Sequence, residues 1–92
     1  MSKTAFTAKI SGVVQGVGFR FFTLRKAQQF GVAGYVKNLP DGGVETYAEG
    51  EREVLELFLS ELRKGPYGSV VDKVEVEWKP PVGNYRDFEI TY

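Results

Sequence analysis

The sequence predicts an α+β fold in which two helices pack against a sheet of five short strands. Five short stretches have the composition and alternation of strands, whereas two longer stretches repeat apolar residues every three to four positions, as amphipathic helices do. Turn residues, mainly glycine and proline, separate these stretches. The expected order is therefore strand, helix, strand, strand, helix, strand, strand.

A strand, a glycine-rich loop and a helix come first. Apolar and polar residues alternate over residues 5–13, which predicts a half-buried strand. Residues 19–30 then repeat with the helical period, and Gly31 suits the C-terminal cap. The side chains expected on the inner face are Phe19, Phe22, Thr23, Lys26, Ala27 and Phe30, and those expected to point away are Phe21, Arg25, Gln28 and Gln29.

A hairpin follows the first helix. Residues 32–38 and 44–49 have the composition of strands. The segment 39–43 between them predicts a turn, because its proline fixes φ and its glycines accept positive φ. Gly50 is expected to end the third strand.

The second helix is predicted over residues 51–64, with acidic side chains near its N-terminus and basic ones near its C-terminus, as the helix dipole favours. Gly65 and Pro66 form a stop signal. Residues 70–78 alternate as a fourth strand, and residues 88–92 suggest a short last one.

Two β-α-β units followed by an extra strand fit the split β-α-β layout of ferredoxin-like folds. Right-handed crossovers place both helices on one face of the sheet, which is expected to be a five-stranded antiparallel sheet. The chain has 92 residues and contains no linker or low-complexity run, so a single domain over residues 1–92 is expected.

Composition excludes several classes of chemistry. The chain has no cysteine and no histidine, which excludes thiolate nucleophiles, disulfides, phosphohistidine intermediates and His-ligated zinc. Its formal net charge is zero, which argues against a nucleic-acid partner. No run approaches the roughly 18 apolar residues of a membrane span, and no signal peptide is visible. A cytoplasmic protein without a membrane partner is therefore expected.

The stretch Gly12–Arg20, which reads Gly-Val-Val-Gln-Gly-Val-Gly-Phe-Arg, is where chemistry is expected. A glycine-rich turn between a strand and a helix lets successive N–H groups converge, and the helix N-terminus adds positive charge, so anions bind there. By itself the pattern is also that of a plain turn that needs glycine for positive φ. It matches neither a Walker A loop nor a Rossmann fingerprint.

Arg20 and Asn38 are the candidate functional side chains. A guanidinium presents a planar fork that matches phosphate or carboxylate. Without an anion, however, Arg20 would meet the positive end of the helix dipole at a cost. The Asn38 carboxamide both donates and accepts hydrogen bonds and could hold a water for attack, although a role in the following turn explains the local sequence equally well.

Two long motifs give the chain a resemblance to a known family. Residues 12–20 resemble the first acylphosphatase signature, and residues 34–44, Gly-Tyr-Val-Lys-Asn-Leu-Pro-Asp-Gly-Gly-Val, resemble the second. Residues 65–74 are similar to the family's loop before the fourth strand. The resemblance spans residues 6–92 without insertions, so it covers nearly the whole chain.

This resemblance implies a ferredoxin-like fold with the fifth strand at a sheet edge. It implies a metal-independent hydrolase, without a cofactor, that splits the carboxyl–phosphate bond of a small-molecule acyl phosphate into a carboxylate and inorganic phosphate. It further implies that Arg20 binds the phosphoryl group and that Asn38 positions the water. The main-chain N–H groups expected around the phosphoryl oxygens are those of Gln15, Gly16, Val17, Gly18 and Phe19. Inorganic phosphate or sulfate is expected as a product-like ligand, and the protein is expected to be a monomer.

Two alternatives stay open. Acylphosphatase-like domains also occur within larger maturation proteins that handle carbamoyl phosphate, and the chain could be such a phosphate-binding module. Its length of 92 residues and its lack of zinc-binding cysteines favour a stand-alone enzyme. The other alternative is a non-catalytic ferredoxin-like binding domain. Residues 43–49 are acidic, however, and lack the basic, aromatic pattern of an RNA-binding strand.

Overall fold

The computed structural model of the protein describes residues 2–92, and the predicted order of elements is confirmed. No helix within this part of the chain is long and apolar enough to cross a membrane. The elements are β1 (Lys3–Val13), α1 (Phe19–Phe30), β2 (Ala33–Asn38), β3 (Val44–Glu51), α2 (Arg52–Lys64), β4 (Val70–Lys79) and β5 (Phe88–Thr91).

The prediction that Gly50 ends the third strand is wrong. β3 continues to Glu51, because β1 begins early enough for Thr4 to pair with Gly50 and for Lys3 to pair with Glu51. A glycine weakens a strand through its backbone entropy, and this pairing offsets that cost. The second helix consequently begins at Arg52, one residue later than predicted.

The strands form one mixed sheet in the order β4-β1-β3-β2-β5. The first four pair antiparallel as predicted, but β5 pairs parallel with β2, so the prediction of a wholly antiparallel sheet is wrong at this edge. The reason lies in the connection over residues 80–87. It leaves β4 at one edge, crosses to the opposite edge at the same end of the sheet, and starts β5 there. β5 must therefore run against β4, and this is the direction of β2.

Three strands now point the same way. β1 and β2 are both antiparallel to β3, and β5 is parallel to β2. The carboxyl ends of β1, β2 and β5 therefore lie at one end of the sheet, called here the carboxyl end. Thr91 pairs with Lys37, which brings Tyr92 beside Asn38.

Both helices pack on one face of the sheet, as predicted. A single apolar core joins side chains of β1, β3, α1 and α2, and its largest fully buried members include Phe6, Ile10, Phe19, Leu55 and Phe58. The predicted inner face of α1 is confirmed, since its residues are buried or half-buried and the four residues predicted to point away are exposed. The first turn of α1 is joined to this core by Phe19, which is fully buried.

Candidate active site

The loop that follows β1, the end of β2 and the end of β5 surround one small cavity at the carboxyl end of the sheet. Its volume is about 170 Å³. Six of the seven residues predicted for the site line it, namely Gln15, Gly16, Gly18, Phe19, Arg20 and Asn38. The seventh, Val17, has a half-buried side chain that packs against the core instead. The structure thus brings together residues that are up to 23 positions apart in the sequence, counted from Gln15 to Asn38.

The glycine loop, residues 14–18, takes its shape from backbone conformations that other residues rarely adopt. Gly16 and Gly18 have φ values of +76° and +78°. Just before the loop, the register between β1 and β4 shifts, because Ser11 pairs with Lys73 but Gly12 pairs with Val71. Such irregularities redirect a strand, and they are frequent beside active sites.

The main-chain N–H groups of this loop are free. Gly18 is the N-cap of α1 and supplies no side-chain cap, and the first turn of α1 contains no acidic residue. Among the hydrogen bonds of residues 2–92, none has the N–H of residues 15–19 as its donor. Five successive donors without a protein partner at the positive end of a helix are an arrangement that favours an anion.

The side chain of Gln15 joins the glycine loop to the turn that follows Asn38. Its Nε2 donates to the carbonyl oxygens of Leu39 and Gly43, each at 2.8 Å. The same two residues close the turn, because the Leu39 N–H donates to the Gly43 carbonyl at 2.8 Å. Sequence reasoning assigned only the backbone of Gln15 to the site, so this bridge is a feature it missed.

Asp41 stabilises the predicted turn over residues 39–43. Its Oδ1 accepts a hydrogen bond from the Gly43 N–H at 3.0 Å, and its Oδ2 accepts one from Lys9 Nζ on β1. The hydrogen bond from Lys9 is the main reason that the pKa of Asp41 lies below its usual value, and the Gly43 N–H adds to the effect. Both side chains are exposed, so this pair holds the turn at the surface rather than taking part in the cavity.

Arg20 reaches the cavity from the first turn of α1. Its guanidinium carbon lies 5.1 Å from the centroid of the Tyr92 ring, within the range of a cation–π contact. Within the described chain, residues 2–92, Arg20 forms no ion pair with a carboxylate. The lining of the cavity also contains no acidic residue. Among the side chains that line the cavity, Arg20 therefore contributes a positive charge and none contributes a negative one.

Tyr92, Ile90 and Phe21 also line the cavity, and sequence reasoning did not assign them to the site. The alternation in residues 88–92 predicted a strand but not its direction. In a wholly antiparallel sheet, β5 would run against β2 and Tyr92 would lie at the opposite end from Asn38. Phe21 was missed for another reason, because it was expected only to point away from the core, which it does.

Comparisons with known proteins agree on one family. A family model described as Acylphosphatase matches residues 6–90. An acylphosphatase of Archaeoglobus fulgidus is 53% identical over 83 residues, which are 90% of this chain and 92% of that protein. The crystal structure of an acylphosphatase from Bacillus subtilis has a TM-score of 0.94 and 35% identity, and the match covers 97% of this chain and 99% of the other.

A larger protein contains a similar domain. The crystal structure of full-length HypF with phosphate and nucleotide bound matches with a TM-score of 0.87 and 34% identity. That match covers 99% of this chain but only 12% of HypF. The fold is therefore shared between small proteins of similar length and one segment of a much longer chain.

Proposed function

Since the chain belongs to the acylphosphatase family and has its hydrolase activity, we propose that the cavity at the carboxyl end of the sheet is its active site. In this proposal the N–H groups of residues 15–19 and the Arg20 guanidinium hold the phosphoryl group, and Asn38 holds the attacking water. The observation that carries the proposal is the meeting of free donors, an uncompensated guanidinium and a carboxamide in one cavity.

The reaction needs charge stabilisation more than acid–base catalysis. In phosphoryl transfer, negative charge spreads over three oxygens in the transition state, and positioned donors in a fixed site stabilise that charge. The five free N–H groups and Arg20 supply six or more donors without moving. The leaving group is a carboxylate, which is a weak base and departs without being protonated. A chain with no histidine or cysteine can therefore perform this reaction.

In this proposal Asn38 orients the attacking water, which must lie in line with the bond to the leaving carboxylate. The carboxamide oxygen can accept a hydrogen bond from the water, while the carboxamide NH2 group donates one to another oxygen. The water's proton passes to a phosphoryl oxygen of the substrate in this proposal, because no aspartate, glutamate or histidine side chain lines the cavity. The products are a carboxylate and inorganic phosphate, and inorganic phosphate or sulfate then competes for the same donors.

The first test removes the carboxamide. Asn38→Ala is expected to lower kcat for benzoyl phosphate by roughly 10² or more, by analogy with the loss of one positioned donor. The Ki of inorganic phosphate changes little, because the donors that hold the anion remain. The control is Asn84→Ala, which removes an exposed asparagine in the 80–87 connection. Near wild-type turnover by Asn38→Ala would refute the assigned role.

The second test changes the guanidinium. Arg20→Lys keeps the charge but loses the planar fork, so we expect inorganic phosphate to bind about tenfold or more weakly. Arg25→Lys is the matched control, because Arg25 lies on the exposed side of the same helix. An unchanged Ki of phosphate in Arg20→Lys would contradict the role of Arg20. The proposal uses no metal, and both assays therefore contain EDTA.

The remaining expectations belong to the same proposal. We propose that residues 1–92 form one acylphosphatase-like domain that acts as a cytoplasmic monomer, which sedimentation and localisation of a tagged protein can test. Because one segment of HypF has a similar structure, a second candidate function is that of a phosphate-binding module for carbamoyl phosphate. Turnover of carbamoyl phosphate with a kcat/KM well above that of benzoyl phosphate would favour this second candidate.

A further inference from the structure

The mouth of the cavity carries exposed apolar side chains. Phe21 is 65% exposed and Tyr92 is 97% exposed, whereas Val14 and Phe19 on the cavity floor are each 1% exposed. Phe21 lies in the first turn of α1 and adds nothing to the core. Exposed aromatic side chains grouped at a polar cavity mark a surface that binds something apolar.

The shape of an acyl phosphate directs its acyl group to this mouth. The proposed function places the phosphoryl oxygens against the N–H groups of residues 15–19 and Arg20, and one oxygen joins phosphorus to the acyl carbon. The cavity of about 170 Å³ is smaller than the roughly 300–1,000 Å³ of pockets that enclose drug-sized ligands. An acyl group joined to a phosphoryl group at this position therefore extends toward the rim, where Phe21 and Tyr92 are exposed.

We propose that Phe21, with Ile90 and Tyr92, forms a subsite for the acyl group and gives the enzyme a preference for acyl phosphates with uncharged aromatic or aliphatic acyl groups. This inference rests on the proposed function and adds the substrate class to it. Arg20 is the only charged residue in the cavity lining, and the phosphoryl group occupies it. An uncharged acyl group can therefore pack against Phe21, Ile90 and the Tyr92 ring without burying a second charge.

Phe21 is the residue that separates this subsite from the anion site. The Tyr92 ring contacts the Arg20 guanidinium, so changing Tyr92 would disturb phosphoryl binding as well. No cation–π or aromatic contact within residues 2–92 involves the Phe21 ring. Its exposure also makes loss of the ring harmless to the core.

The test compares kcat/KM for acetyl, hexanoyl and benzoyl phosphate in the full chain. We expect the wild type to prefer hexanoyl and benzoyl phosphate. Phe21→Ala should lower kcat/KM for these two by about 5- to 20-fold, as the loss of a hydrophobic contact in a pocket does. For acetyl phosphate the change stays within about twofold, and the Ki of inorganic phosphate is unchanged. Phe21→Leu should keep most of the preference for hexanoyl phosphate.

Leu57→Ala is the matched control, because Leu57 is a 56% exposed apolar residue on α2 outside the cavity lining. This variant should leave kcat/KM unchanged for all three substrates, and circular dichroism should show that each variant is folded. An equal loss for all three substrates in Phe21→Ala, or no loss for any, overturns the subsite. The latter result would point to a protein carrying the phosphoryl group as the occupant of the rim. A wild type that hydrolyses none of the three overturns the proposed function and the subsite together.

Discussion

Gln15→Met removes the bridge between the glycine loop and the turn after Asn38 while nearly preserving the size of the side chain. The methionine cannot donate to Leu39 and Gly43, so two hydrogen bonds of 2.8 Å are lost. The main-chain N–H of residue 15 remains in place. The variant therefore separates the bridging role of the side chain from the anion-binding role of the backbone.

The expected loss in the free energy of unfolding depends on which hydrogen bonds of Leu39 and Gly43 remain in the variant. A net contribution of about 0.5–1.5 kcal/mol for each hydrogen bond gives a loss of about 1–3 kcal/mol in the free energy of unfolding. The lower half of this range is expected, because the Leu39 carbonyl still accepts from the Gly42 N–H and the Gly43 carbonyl from the Leu39 N–H. Each kcal/mol lowers the Tm of a domain of this size by about 4–8 °C.

The kinetic effect is expected in kcat. Without the bridge, the turn can shift relative to the glycine loop, and the Asn38 carboxamide would lose the position that the proposed function requires of it. We expect kcat to fall roughly 10-fold, which is less than for Asn38→Ala because the catalytic group remains present. Inorganic phosphate should bind nearly as before, since its donors are main-chain N–H groups and Arg20.

Thermal melts and benzoyl phosphate kinetics, measured well below the Tm, test this expectation. The control is Thr4→Val, which removes the hydrogen bond of 3.2 Å from Thr4 Oγ1 to the Lys79 carbonyl at the opposite end of the sheet. Thr4→Val should lower the Tm but leave kcat intact. If Gln15→Met lowers the Tm and keeps full kcat, the bridge stabilises the fold only, and the positioning argument fails.

Two further predictions concern stability. The hydrogen bond from Lys9 lowers the pKa of Asp41, so the contribution of this pair is complete above the ordinary pKa of 3.8 and is lost as the pH falls through the lowered value. The Tm difference between wild type and Asp41→Asn should therefore be constant near neutral pH and vanish on acidification. Gly34→Ala should cost far more than 1 kcal/mol and abolish cooperative melting, because its Cβ would lie 1.9 Å from the Tyr47 carbonyl oxygen. Gly83→Ala, with open space around its Cβ, should still melt cooperatively.

Much of the fold could be predicted because local pattern and topology agree. Period-two alternation in β1 and the helical stripe of α1 match their tertiary surroundings, and the split β-α-β order makes β1 and β2 parallel. This places the glycine loop and Asn38 at the same end of the sheet. The cavity lining of Gln15, Arg20 and Asn38 follows from that arrangement and from the motifs.

The direction of β5 could not be predicted in the same way. Residues 88–92 alternate identically whether the strand is parallel or antiparallel to its neighbour, since alternation depends only on which face is buried. The direction depends on where the 80–87 connection crosses the sheet, and that is a tertiary property. Tyr92 and Ile90 were therefore absent from the predicted site. The Gln15 bridge was missed because glutamine's partners are two carbonyls more than 20 residues away.

The candidate site lies at the start of α1, where the helix has no side-chain N-cap. Serine or aspartate at the N-cap of a helix bonds to its first N–H groups and stabilises it by a few tenths of a kcal/mol relative to glycine. Gly18 occupies that position with φ +78° and leaves these groups free, and Arg20 in the first turn opposes the dipole. Both features are unfavourable without a ligand, and the proposed phosphoryl site would make them favourable. If the proposed function is correct, a bound phosphoryl group therefore stabilises the protein at a helix start that is unfavourable in the free fold.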